Sequence, residues 1–257
     1  MTLRVLIVTF LAGLGAGLGT GFAGLSAAAV ISPMLIAFLG MESYTAIGIA
    51  LASDVLASAV SAYIYKKNRN LDVKNGLIMM ATVLVVTVFG SYISSLVPTT
   101  TMGAFSVVMT MLLGIKFLVR PVNTTKEQMN SVSAKKRVIQ SILCGCYIGF
   151  ICGFIGAGGG LMMLFVLTTV LGYELKTAVG TSVFIMAFTA FTGSISHFIL
   201  GGAPDPIVLA LCVLFTLIWA RIGAQIANRA SVRTLNRCTG GILVAVGAAV
   251  LFTTYAF

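Results

Sequence analysis

A charge-free run from Val138 to Tyr173 carries seven glycines between Gly145 and Gly160, in the order GCYIGFICGFIGAGGG. An apolar stretch longer than about 20 residues reads as membrane-spanning. Glycines at this density either pack helices closely or break them. A near copy, GLGAGLGTGFAGLSAA, lies 132 residues earlier at Gly13 to Ala28. The shift pairs Gly149 with Gly17, Gly153 with Gly21, Phe154 with Phe22 and Gly156 with Gly24. It goes on to pair Leu167 with Leu35, Leu171 with Leu39, Gly172 with Gly40 and Glu174 with Glu42. Thr177, Ala178 and Gly180 match Thr45, Ala46 and Gly48, giving 11 identities in 32 ungapped pairs from 17 to 48. The chain therefore reads as an all-α membrane protein made of two copies of one unit, each built around a glycine-broken helix.

Composition agrees. Apolar residues make up 59% of the chain and charged residues 9%, with a mean hydropathy of +1.09. A soluble domain carries about a quarter charged residues. A multi-pass protein of the cytoplasmic membrane is expected, with the lipid bilayer as its surroundings. The net charge of +10 does not point to nucleic acid. The basic residues sit in short connectors between apolar runs, the pattern of cytoplasmic loops beside anionic lipid. No aromatic–basic alternation offers a stacking surface. Cys144, Cys146, Cys152, Cys212 and Cys238 form no CxxC pair and read as small packing residues. With one histidine, a metal site is not expected, and no motif asks for a cofactor. The first 20 residues, with Arg4 ahead of an apolar run, look like a signal peptide. The second copy lies mid-chain and cannot be cleaved, which argues against that reading.

Ten segments are expected: about Leu3–Phe22, Leu25–Gly40, Ser43–Tyr65, Lys74–Val97 and Thr101–Val119, then Arg137–Ile155, Gly159–Leu171, Leu175–Leu200, Ile207–Asn228 and Arg233–Phe257. Residues 1–120 form the first repeat and 138–257 the second, in one integrated transmembrane domain. The polar stretch 121–137 is a cytoplasmic linker, with Pro121 stopping the helix before it. The second and seventh segments are short for a full span. If both cross, one side of the membrane receives every loop cation except Arg4. If neither crosses, the split is ten against four. Positive-inside bias favours the first arrangement. Five crossings per half is odd, so the halves are expected to be inverted repeats, a recurrent transporter plan.

At these residues the sequence resembles the TauE/SafE family of sulfite and organosulfonate exporters. The resemblance covers nearly the whole chain. Its most specific parts are GLGTGFAG from Gly17 to Gly24 with Pro33 downstream, and GFIGAGGG from Gly153 to Gly160. GYELKTAVG from Gly172 to Gly180 and the late Gly223–Ala227 also fit. The first copy departs from the triple glycine with Leu25-Ser26-Ala27, and Gln225 stands where a basic residue is expected. The resemblance implies a secondary transporter of small sulfur-containing anions with about eight spans; the loop charges prefer ten segments.

The glycine runs have two readings, close packing and a helix break. A break at Gly158, Gly159 and Gly160, and at Gly24, Leu25 and Ser26, frees backbone N–H groups at the start of the next helix. Such groups and the positive end of the helix dipole hold an anion without a lysine. Thr20 and Ser26 add hydroxyls, as do Thr181 and Ser182 from segment eight. Arg221 and Gln225 are further candidate ligands for a small anionic substrate. Asp54, at the centre of segment three, is costly there and normally meets a partner or water. It reads as a proton carrier or as half of an Asp54–Arg221 pair. His197 reads as a second proton-coupling candidate or as a side chain reaching interfacial water. Lys116 is expected to snorkel to the cytoplasm, and Glu42 and Glu174 to cap the helices that follow them.

Gly19, Gly21 and Gly24 spell GxGxxG, but no strand precedes them and no soluble βαβ unit surrounds them. No carboxylate pair, His cluster or Ser–His arrangement recurs at helical spacing, so an enzyme is not expected. No ATP-binding motif is present, so coupling comes from an ion gradient or from the substrate's own. A passive channel, or a transporter of another small organic anion, is the alternative. A homodimer is compatible with the sequence.

Overall fold

The computed structural model describes residues 2–94, 102–155, 159–201 and 203–255. Within them the chain forms eleven helices and no strand. The first half gives α1 (Leu3–Ala23), α2 (Ala28–Leu39), α3 (Ser43–Lys67), α4 (Val73–Ser94) and α5 (Met102–Val119). The second gives α7 (Ala134–Ile155), α8 (Gly159–Thr169), α9 (Leu175–Gly201), α10 (Pro206–Arg229) and α11 (Val232–Tyr255). These are the ten expected segments. The end of segment four at Val97, and Gly158, lie outside the described residues.

The linker differs from expectation. It contains a short helix, α6 (Lys126–Asn130), and α7 already begins at Ala134. Thr125 starts α6 with a capping box in which its hydroxyl and the Gln128 side chain take each other's backbone N–H groups. Met129 and Val122 are buried. Asn236 clamps the backbone of Val122, accepting from its N–H at 2.8 Å and donating to its carbonyl at 3.1 Å. The polar composition concealed these two apolar anchors.

The exposure pattern is inside-out relative to a soluble protein. Val85, Val119 and Ile199 are more than 70% exposed, while Asp54, Ser53, Ser58, Thr216 and Thr239 are buried. Lipid is the solvent that makes such a surface stable, because hydrocarbon tolerates exposed aliphatics and punishes unpaired polar groups. α1, α3, α9 and α10 are each long and apolar enough to cross a membrane.

The repeated residues have repeated jobs. Gly40 and Gly172 end α2 and α8 in the left-handed region, at φ 65° and 64°. Only glycine enters that region at little cost. In both copies the next amide closes the helix end: Met41 N–H donates to Leu35 O, and Tyr173 N–H to Leu167 O. Glu42 then accepts from the amides of Tyr44 and Thr45, both at 3.0 Å. Glu174 accepts from the amide and hydroxyl of Thr177 at 3.2 and 2.8 Å. Both glutamates thus cap the next helix.

Helix pairing follows the repeat. α1 runs parallel to α10: a Cβ on Gly17 would stand 2.6 Å from Thr216 O, and one on Gly21 2.6 Å from Ala224 N. α7 runs parallel to α4 in the same way, with Gly149 against Val83 O at 2.7 Å. The packing reading of the glycines is correct at these positions. α3 and α9 lie antiparallel and pack reciprocally: Gly48 faces His197, and its repeat mate Gly180 faces Tyr65, the mate of His197. Reciprocal contact of this kind is what a twofold axis produces. α5 and α11 are also antiparallel, with Gly240 against Leu118 and Gly247 against Met111.

Candidate functional site

The break between α1 and α2 is built from satisfied groups. Gly24 turns the chain at φ 61° and donates its N–H to Thr20 O, while Leu25 N–H donates to Gly19 O. Two further carbonyls in the last turn of α1 take side-chain donors: Tyr65 hydroxyl to Gly21 O at 2.9 Å, and Thr239 hydroxyl to Phe22 O at 3.2 Å. Thr20 donates to Ala16 O and Leu25 O at 2.9 and 2.8 Å. Its hydroxyl holds the turn together and is not directed at open space. A helix end inside a membrane persists only with such compensation.

The start of α2 holds a carboxylate. Ser26 donates to Asp54 Oδ2 at 2.6 Å and Ser58 donates to Oδ1 at 2.8 Å. The Ala28 amide donates to Ser26 Oγ at 3.3 Å. Asp54 is fully buried; Ser26 is only partly so. The alternative of an Asp54–Arg221 pair is not formed; Ser26 and Ser58 hold the carboxylate instead. Of the amides expected to be free at the first break, those of Gly24 and Leu25 are taken by Thr20 O and Gly19 O, and that of Ala28 goes to Ser26 Oγ.

The start of α8 meets the first break. A Cβ on Gly160, in the first turn of α8, would stand 2.7 Å from Gly24 O and 3.2 Å from Ser26 N, and would collide with Met186 Sδ. Met186 is the repeat mate of Asp54. The second copy therefore has a thioether where the first has a carboxylate, and the start of α8, at Gly159 and Gly160, gains no internal anion from that position. Ser182 lies against Gly24 and donates to Val179 O at 2.8 Å. Ser61 lies on the Asp54–Ser58 face of α3; it is fully buried, and its hydroxyl has no partner among the described residues.

The other expected residues lie elsewhere. Thr181 faces α4 and accepts from the Asp72 amide at 3.2 Å. His197 stacks on Tyr44, with ring centroids 4.1 Å apart, and its Nδ1 is 3.2 Å from Tyr44 O. Tyr44 precedes Asp54 by ten residues, about 15 Å of helix, so the two proton-coupling candidates are apart. Arg221 and Gln225 are exposed in a groove between α3 and α10. The ammonium of partly exposed Lys116 donates to Thr169 Oγ1 at the exposed end of α8 and lies 5.0 Å from the Phe165 ring.

Sequence reading missed a second polar centre, around Asp72. Its carboxylate accepts from Tyr173 hydroxyl at 2.8 Å and Asn75 Nδ2 at 2.7 Å, and stands 3.7 Å from Arg137. The Arg137 guanidinium covers the Tyr173 ring at 5.1 Å. Burial, then the Asp72 carboxylate, pushes the Tyr173 phenol well above its usual range, so it remains a donor. The available signal was Asp72 with Asn75 three residues on, at the start of an apolar helix. That pattern specifies a cap but says nothing of Arg137.

Apolar helices, with a break between α1 and α2 packed against the start of α8 and beside a buried carboxylate, fit a helical membrane transporter. The chain belongs to the family described as Sulfite exporter TauE/SafE, whose sequence model matches residues 9–250. It is 25% identical to the Probable membrane transporter protein YunE of Bacillus subtilis, over 96% of this chain and 97% of that one. It is equally identical to YdhB of the same organism, with 87% and 89% covered, under the same description. A probable membrane transporter protein of Methanocaldococcus jannaschii is 25% identical over 95% and 92%.

Proposed function

We propose that the protein is a proton-coupled secondary transporter of a small sulfur-containing anion, sulfite or a short organosulfonate, across the cytoplasmic membrane. The observation that carries this reading is the approach of Gly160 to Gly24 and Ser26, beside the Ser26–Asp54 hydrogen bond. The amides of Gly159 and Gly160 and the α8 dipole supply the anion site. Ser26 and Ser182 supply hydroxyls, with Ser61 as a further donor. Arg221 and Gln225 stay outside this reading.

The same geometry gives the coupling. A substrate charge about 6 Å from an ionised Asp54 is opposed by roughly 3 kcal/mol at an effective dielectric of 20. That is about 100-fold in affinity. A proton on Asp54 removes the opposition, so proton and anion bind better together than either alone. Protonation also turns the carboxyl into a donor, which frees the Ser26 hydroxyl to turn toward the substrate.

The halves act as inverted repeats in this reading. Antiparallel α3 and α9, and parallel α1 and α10, are what an inverted pair of five-helix units requires. Rocking one unit against the other about the α3–α9 contact would open the breaks to each side in turn. The test is uptake into proteoliposomes, screened over sulfite, thiosulfate, taurine, sulfoacetate and simple carboxylates. Saturable, gradient-driven flux of a sulfur oxyanion is expected; flux that never saturates would make the protein a channel.

A further inference from the structure

We propose that the groove between α3 and α10 holds the phosphate headgroup of an anionic phospholipid. The groove encloses about 520 Å³ and is lined by Tyr63, Lys67, Arg221, Gln225 and Arg229, with no carboxylate among its lining residues. Such a volume suits a small ligand group. Lys67, Arg221 and Arg229 are exposed, and none has an ion-pair or hydrogen-bond partner among the described residues. Of the acidic side chains at this end, Asp72 is engaged by Arg137 and Tyr173 and Glu174 by Thr177, while Glu127, exposed on α6, is not among the lining residues. Three unanswered cations therefore converge on one space.

The position selects lipid over a free anion. Arg221, Gln225 and Arg229 recur every four residues and form one stripe on α10. Arg221 stands two turns inside the helix end, about 12 Å along the axis. Beyond it the stripe continues as Ile218 and Leu214, 43% and 49% exposed, and α3 faces it with Leu56 at 47% and Tyr63 at 66%. The groove is thus cationic at its end and apolar along its length, which matches a phosphate with acyl chains below it. The end is the basic one: Asn70, just past α3, bonds Asn228 at 2.7 Å and Lys126 at 2.5 Å. This site is separate from the transport site, since Asp54 and Ser58 point from a different face of α3.

The test uses full-length protein in nanodiscs of phosphatidylcholine, with and without phosphatidylglycerol, and counts retained lipids by native mass spectrometry. Wild type is expected to retain phosphatidylglycerol preferentially. R221Q/R229Q should lower that preference at least tenfold, at roughly fivefold per charge. R221K/R229K should keep most of it, and K135Q, an exposed cation outside the groove, should change nothing. Equal retention by wild type and R221Q/R229Q overturns the proposal. So does displacement of the lipid by millimolar inorganic phosphate or sulfite, which would make the groove a free-anion site. A Tyr63→Cys cross-link between two copies that excludes lipid would make it a dimer face instead. If R221Q/R229Q fails to fold, the wild-type preference and its resistance to phosphate still decide.

Discussion

Ser26 and Asp54 join the first helix break to the middle of α3 through a 2.6 Å hydrogen bond. The bond links a partly exposed hydroxyl to a fully buried carboxylate. In the proposed function it is the path by which a group at the start of α8 senses the charge on Asp54. Ser26→Ala removes that path while Ser58 still holds the carboxylate. Uptake should fall about tenfold or more, with the protein still folded, as read by flux and melting temperature together. Unchanged flux would remove Ser26 from the coupling route.

Gly160 has no room for a side chain. Gly160→Ala puts a methyl 2.7 Å from Gly24 O, an overpacking that costs about 1–3 kcal/mol and separates the breaks. Flux should be lost. Gly172→Ala meets nothing within 4 Å but sits at φ 64°. It should cost about 1 kcal/mol of backbone strain and leave flux near normal. Flux assays on both variants, alongside thermal melts, check the contrast. Equal loss in both would mean that stability alone is being read.

Much of this was legible in the sequence. The repeat, the ten apolar segments and the break at Gly24 follow from glycine spacing and from identities that serve as caps and contacts. Gly40, Glu42 and Thr45 are local devices, and local devices leave local patterns. The division of labour between the two breaks was not legible. It depends on Asp54 reaching α2 across 28 residues of chain, and on Met186 standing in its place in the other copy. The Arg137–Asp72–Tyr173 centre was hidden for the same reason, since its members lie 65 and 101 residues from Asp72 along the chain.

The Asp72 centre is structural. Asp72→Ala removes the cap of α4 and leaves Arg137, itself buried, without its carboxylate. A loss of about 2–4 kcal/mol is expected. Asp72→Asn keeps the capping oxygen and should lose less. Thermal unfolding in detergent measures both. A neutral Asp72→Ala would show that the ion pair contributes nothing.

Glu42 should make stability depend on acidity. The Thr45 amide, then that of Tyr44, holds its carboxyl below the usual glutamate range. A depressed folded-state value contributes stability above the unfolded-state value, and that contribution is lost as pH falls through the folded one. The melting-temperature gap between wild type and Glu42→Gln should be constant near neutrality and shrink below about pH 4.3. A gap independent of pH would contradict the capping role.

Topology can be read directly. Glu42 lies by His197, at the far end of α9 from Glu174. Single cysteines at 42 and at exposed Val170, four residues before Glu174, should therefore react with impermeant reagents from opposite sides of the membrane. Labelling from the same side would remove the inverted arrangement.

The most direct measurement is proton-driven uptake of the identified anion by wild type and Asp54→Asn in proteoliposomes. The substitution keeps the size and planar shape of the side chain, replaces one accepting oxygen by an amide donor, and carries no titratable proton. Wild type should accumulate substrate in response to a pH gradient and take up protons with it. Asp54→Asn should bind and exchange substrate yet ignore the gradient. Accumulation by Asp54→Asn that follows the gradient as wild type does would contradict the account.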